Sequence, residues 1–235
     1  VMHLAEFANE KKLSAERHPD LKADETIIGY LDRIGFLGDN MLGAHVIYAD
    51  ENDRKILKAR GVGVGHNPKA NSRSAAGMGP GWEMYREGVD VGFGTDGPMS
   101  SNQMDVMNVM AYAASIARLR QSAETPFTPV ELVDMITMGG ARALDLEDTL
   151  GSLEVGKQAD MVLLDADAPN MQPNYDVYST IAFSAYPSNV RTTVIDGVVV
   201  VDEGAVQTVD LAAHTEEWAA VTGRVAEFAK TLEKR

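Results

Sequence analysis

Four polar residues of this chain stand where a short apolar run gives out. They are His3 in Val1-Met2-His3-Leu4-Ala5-Glu6, His45 in Met41-Leu42-Gly43-Ala44-His45-Val46, His66 in Val62-Gly63-Val64-Gly65-His66-Asn67-Pro68, and Asp96 in Val91-Gly92-Phe93-Gly94-Thr95-Asp96-Gly97. Imidazole nitrogens and carboxylate oxygens hold catalytic divalent ions, and the sequence has no cysteine to offer a thiolate instead. Histidine and aspartate at successive strand ends point to a metal-centred active site. His3 and Glu6 form a His-x-x-Glu pair. At a strand end the histidine is expected to face the mouth of a barrel and Glu6 to lie on the following loop, within reach of a substrate. Each residue also has a plainer reading: His3 as a terminal surface histidine, His45 as a buried structural one, Asp96 as a turn cap, and His66 as a hydrogen-bonding group of a long loop.

Periodicity and punctuation give the elements that must position these residues. Apolar, glycine-spotted runs near 1–4, 41–48, 62–65 and 89–94 read as strands separated by helix-like sequence. Helices are expected at 9–16, at 24–34 with Ile27, Ile28, Leu31 and Ile34 on one face, at 51–59 capped by Asp50, at 82–87 and at 103–120, with a long loop over 66–81. A break marked by Pro126 and Pro129 precedes a helix over 129–144. Its start carries Thr128 as N-cap, Pro129 in the first helical position and Glu131 three residues after the cap. Beyond 150 the grammar changes: a short strand over 159–165, then 190–195 and 198–201 flanking the hairpin signal Asp196-Gly197. An amphipathic helix over about 210–230 carries Trp218, Val221, Val225 and Phe228 on its apolar side.

Four strand-plus-helix units are half of an eight-fold barrel and cannot close one alone. The expected fold is therefore α/β: the second half of a (β/α)8 TIM-type barrel over 1–150, part of a small β-sandwich over 151–206, and a C-terminal helix over 207–235. Val1-Met2-His3-Leu4 opens in mid-strand, so an upstream half or a second copy of the chain is expected to complete the assembly. With 35 acidic against 21 basic residues the net charge is -14, which disfavours nucleic acid and anionic membrane surfaces as partners. There is no leader-like start and no apolar stretch near membrane-spanning length, so the cytoplasm is the expected location.

Taken together, these motifs resemble the amidohydrolase superfamily. Met2-His3-Leu4-Ala5-Glu6 is similar to the fifth-strand metal histidine and its nearby acid, and Ala44-His45 to the sixth-strand histidine. His66-Asn67-Pro68-Lys69-Ala70-Asn71 is similar to the seventh-strand loop, and Gly94-Thr95-Asp96-Gly97 to the eighth-strand aspartate. Gly151-Ser152-Leu153-Glu154-Val155-Gly156-Lys157 resembles the return into the family's β-sandwich, and the likeness runs to about residue 205. Within the superfamily the chain looks most like the deaminases of 5-methylthioadenosine and S-adenosylhomocysteine, near the cytosine deaminases, triazine hydrolases and guanine-type deaminases. The resemblance implies a hydrolase of carbon–nitrogen bonds that deaminates a small N-heterocyclic, purine-nucleoside-type substrate. It implies one divalent metal, Zn2+ first with Fe2+ or Mn2+ as substitutes, bound by His3 and Asp96. Asp96 would also take the proton of the attacking water, His45 would hold the hydroxide or the developing tetrahedral centre, and Glu6 would carry a proton to the ring nitrogen beside the attacked carbon. The superfamily's His-x-His metal pair has no counterpart in this sequence. The other readings are a non-catalytic fragment or pseudoenzyme of the same fold that self-associates, and a triazine- or guanine-type aminohydrolase.

Overall fold

The computed structural model describes residues 1–121 and 127–232. Pro126 of the expected break and residues 233–235 of the expected C-terminal segment lie outside the described residues. The chain forms two compact units. One comprises Val1–Gln158 with Ala166–Pro187, and the other comprises Ala159–Asp165 with the described residues from Ser188 onward.

In the first unit four short strands, β1 (Met2–Leu4), β2 (Leu42–His45), β3 (Gly63–His66) and β4 (Val91–Phe93), pair in parallel in chain order. Parallel neighbours need a crossover, and helices supply it. α1 (Glu10–Ala15) and α2 (Ile27–Arg33) follow β1, α3 (Glu51–Arg60) follows β2, and α4 (Pro68–Arg73) and α5 (Gly81–Glu87) follow β3. After β4 come α6 (Pro98–Ser101), α7 (Val106–Gln121), α8 (Pro129–Ile136) and α9 (Met138–Ala143), and α10 (Val177–Phe183) adds to the same unit. The caps are those the sequence signals. Asp50 and Asp53 form a reciprocal capping box at α3, and Thr128 and Glu131 form one at α8. Thr26 caps α2 and donates its hydroxyl to the buried Asp53 at 2.5 Å, tying two helix starts together.

Two expectations change. The loop over 66–81 contains α4, begun by Pro68 at the first helical position. The single helix over 129–144 is two helices, because Thr137 leaves the helical region at φ -123 and ψ -100. The break lets α9 turn and pack against β3 and β4. Leu4, Val64 and Val91 from the strands meet Ile28, Leu57, Met84, Met110, Leu132 and Met135 from the helices in one core. Each such side chain contributes roughly 1.5–3 kcal/mol by leaving water.

In the second unit β5 (Met161–Leu164), β6 (Val190–Ile195), β7 (Val198–Asp202) and β8 (Ala205–Val206) form an antiparallel sheet in that order. The β6–β7 turn has φ 49 at Asp196 and φ 75 at Gly197, the pair of positive values that a two-residue hairpin uses. Asp160 accepts the Asp196 N–H at 2.6 Å and anchors that turn to the edge of β5. α11 (Leu211–Leu232) ends the described chain. No helix among the described residues is long and apolar enough to cross a membrane.

A tight backbone approach in the first unit lies between β3 and α9. A Cβ on Gly63 would sit 1.9 Å from the carbonyl oxygen of Ala143, a backbone atom that cannot rotate away. Gly63→Ala is therefore expected to destabilise the protein by about 3 kcal/mol, the upper part of the range for overpacking. Denaturant unfolding measures this, and a loss under about 1 kcal/mol would show that β3 and α9 are not held in this register.

Candidate metal centre

The C-terminal ends of β1 and β2 bring three of the expected residues together. Ligand atoms of His3, Glu6 and His45 all lie within 4.8 Å of one another. His3 Nδ1 is 2.8 Å from Glu6 Oε2, the two imidazole rings meet edge to face with centroids 4.8 Å apart, and His45 Nε2 stands 3.9 Å from Glu6 Oε1. Their environments differ sharply. The His3 side chain is 70% exposed, Glu6 14% and His45 3%.

This meeting depends on the backbone. In the parallel register Leu4 lies opposite His45, and an undistorted strand would send both side chains to the core face. Leu4 does enter the core. His45 has φ 74 and Val46 φ 44, so the chain turns left-handed as β2 ends, and the ring sits beside His3 instead. Such a conformation costs of order 1–3 kcal/mol per residue, and for a β-branched residue such as valine it is a true outlier. Main-chain bonds hold it there: Val46 N–H donates to Leu4 C=O at 3.1 Å, and Ile47 N–H to Ala5 C=O at 3.0 Å. The loop carrying Glu6 is fixed by Glu10, whose carboxylate accepts the backbone N–H groups of Ala5 at 3.2 Å, Glu6 at 2.6 Å and Phe7 at 3.4 Å. Glu10 was not among the residues the sequence singled out. Its place at the start of α1, four residues after Glu6, is the only signal.

The donor set suits a borderline divalent ion. Metal-binding histidines typically give one ring nitrogen to an oxygen acceptor and keep the other for the ion. His3 Nδ1 faces Glu6 and His45 Nδ1 faces Asn71 Oδ1 at 2.7 Å, which leaves both Nε2 atoms for the mouth. Asp96 follows β4, at the opposite edge of the four-stranded sheet, and is not part of this cluster. It too is left-handed, at φ 58, and its Oδ1 accepts the Gly97 N–H at 2.6 Å.

His66 is buried within the first unit. Gly81 makes room for it, since a Cβ there would lie 2.6 Å from the ring. Burial first, then the Arg120 and His45 charges, pushes His66 down to about 4. Its Nδ1 and the Glu83 Oε2 have no partner among the described residues, and both side chains line a cavity of about 10 Å³, space for about one water.

Comparison with known proteins follows the same outline. Residues 1–200 match the profile of the Amidohydrolase family. The chain is 39% identical over 183 residues to a 5-methylthioadenosine/S-adenosylhomocysteine deaminase of Desulforudis audaxviator, covering 78% of this chain and 43% of that protein. It is 37% identical over 180 residues to a 5'-deoxyadenosine deaminase of Methanosarcina mazei, covering 77% and 41%. Among solved structures, an adenosine deaminase of Xanthomonas campestris with bound zinc superposes with a TM-score of 0.89 at 30% identity, over 96% of this chain and 50% of that one. The chain thus spans under half the length of these curated relatives.

The buried His66 predicts an acid-dependent loss of stability. The folded chain keeps this ring neutral down to about pH 4, whereas the unfolded chain takes up its proton below about 6.5. Its contribution is therefore complete above about pH 6.5 and is lost as pH falls toward 4, by up to about 3 kcal/mol. Unfolding free energies across that window should show the slope, and His66→Gln should flatten it. An unchanged slope in the variant would mean that His66 titrates normally.

Proposed function

Because the chain belongs to the amidohydrolase family, we propose that the whole protein is a metal-dependent aminohydrolase that releases the amino group of an adenosine-type nucleoside as ammonia. The observation that carries this reading is the His3–Glu6–His45 cluster at the ends of β1 and β2, held by protein contacts alone. The names of the matched deaminases support the substrate class, and the zinc of the Xanthomonas structure supports zinc as the ion. His3 and Asp96 are this chain's proposed donors to the ion. When bound, the ion's contribution is to make water nucleophilic at neutral pH.

The chain's own residues do the rest. Asp96, a carboxylate with one oxygen held by the Gly97 N–H, takes the proton of the attacking water. His45 steadies the attacking oxygen through Nε2, its Nδ1 being engaged by Asn71. Glu6 delivers a proton to the ring nitrogen beside the attacked carbon. Its two oxygens face the two imidazoles, so it can exchange that proton without leaving the mouth. The tetrahedral carbon then collapses: its bond to the amino nitrogen breaks, the amino group departs as ammonia with the proton that Asp96 drew from the water, and the hydroxyl proton returns to Glu6 as the carbonyl forms.

The test is ammonia release by the full-length protein from 5-methylthioadenosine, S-adenosylhomocysteine and 5'-deoxyadenosine. Glu6→Gln and Asp96→Asn should each lower kcat by about 10²–10⁴-fold with the fold intact. A variant keeping more than about a tenth of normal turnover would remove that residue from proton transfer. Metal content separates the donor sets: Asp96→Asn and His3→Ala should lose bound zinc, while His45→Gln should keep most of it. Loss of zinc in His45→Gln with retention in Asp96→Asn would move the ion to the His3–Glu6–His45 cluster.

A further inference from the structure

The His45 ring has a partner whose effect on the ring's tautomer the proposed chemistry does not draw on. Asn71 lies 26 positions along the chain, and its Oδ1 stands 2.7 Å from His45 Nδ1. Both residues are buried, Asn71 at 1% and His45 at 2% exposure for the whole residue. Asn71 is fixed in α4 by its own backbone, its N–H donating to Asn67 C=O at 3.0 Å and its C=O accepting the Ala76 N–H at 3.0 Å. The other ring nitrogen, Nε2, is 3.9 Å from Glu6 Oε1, beyond a direct hydrogen bond.

A carboxamide oxygen only accepts, so a neutral imidazole satisfies it only by carrying its single proton on Nδ1. We infer that Asn71 is a positioning residue that holds His45 in the Nδ1–H tautomer, so that Nε2 meets the mouth of the site as a lone-pair acceptor. The consequence concerns direction. A lone pair at Nε2 receives a hydrogen bond from an attacking water and turns that water's own lone pair toward the substrate, whereas an Nε2–H could only donate. The Asn71 Nδ2 group has no partner among the described residues, so nothing else on the side chain competes for its orientation. An amide turned end for end would aim its NH2 at Nδ1 and force the proton to Nε2. Tautomer and amide orientation are therefore one observable. The inference rests on the reading of His45 as a site residue, while the tautomer is a property of the ring itself.

Two-bond 15N–1H correlation of the imidazoles in the 15N-labelled full-length protein, stripped of metal and without substrate at about pH 8, reads the tautomer of neutral histidine. His45→Gln identifies the signal by its disappearance. The expected result is a protonated Nδ1 and bare Nε2 at His45, in about tenfold excess over the other form. Asn71→Asp keeps an oxygen in place and should preserve the pattern, and Asn71→Leu should shift it toward Nε2–H. An Nε2–H tautomer in the unsubstituted chain, or an unchanged pattern in folded Asn71→Leu, overturns the inference. The unsubstituted chain decides on its own if the leucine variant does not fold. Neither zinc nor ammonia is read, so failure here and failure of the aminohydrolase proposal are told apart.

Discussion

A left-handed turn of the backbone at the end of β2 is what the candidate site depends on. Parallel pairing fixes the rows of the sheet, and in those rows His45 belongs with Leu4, on the face that is buried in hydrocarbon. Positive φ at His45 and Val46 breaks the alternation and sends the imidazole to its neighbours at the strand ends. Ala5 just after β1 and Asp96 after β4 share the left-handed conformation, so positive φ recurs beyond the C-terminal ends of the strands. Strain of this kind persists only where surrounding contacts over-determine it. Here those contacts are the hydrogen bonds that Leu4 and Ala5 make with Val46, Ile47 and Tyr48.

A second layer holds the first. α4 follows β3, and it and the residues just after it bond to two different parts of the unit. Toward β2, Asn71 takes the His45 ring and Ala76 takes the Tyr48 hydroxyl at 2.8 Å. Toward the residues that follow β4, the Lys69 ammonium donates to Gln103 at 2.6 Å and Asn108 at 2.7 Å, and Arg73 donates to the Met99 carbonyl at 2.8 Å. One short helix thus bonds both to His45 at the end of β2 and to the residues 99–108 that follow Asp96. Groups locked by a supporting shell of this kind keep their geometry before any ligand arrives.

The sequence made some of this legible and hid the rest for physical reasons. Caps and turns are local, so Asp50, Thr128 and the Asp196-Gly197 hairpin could be read directly, as could the four strands. α4 was hidden because the Asn67-Pro68 start is followed within a few residues by a stretch dense in Gly, Ser and Ala, which reads as loop. The division at Thr137 was hidden because the apolar period continues through it. The helix breaks at Thr137, and beyond it α9 packs against β3 and β4, a long-range contact that local periodicity does not encode. α10 was hidden because Val177–Phe183 is short and rich in β-branched and aromatic residues, and tertiary packing of Ala182 into the core overrides weak propensity. The His45–Asn71 pairing joins the end of β2 to α4, 26 positions on, and could not be read from spacing at all.

The two sides of the mouth are prepared to different degrees. His3, Glu6 and His45 are held by one another, by Asn71 and by the three N–H groups that Glu10 gathers, so each donor already has its direction. Asp96 has one local bond to Gly97, which leaves its side chain free to turn toward a nearby positive charge. A left-handed aspartate held by its own neighbour is a low-cost conformation, since a short polar side chain stabilises that backbone locally. This division suits the role proposed for Asp96, a carboxylate that would both bind and carry a proton. A group clamped by several donors would be a poor base, whereas one held at a single oxygen keeps the other available. Under the proposed function, rigidity on the β1–β2 side would fix where a substrate sits, and looseness on the β4 side would let the proton move.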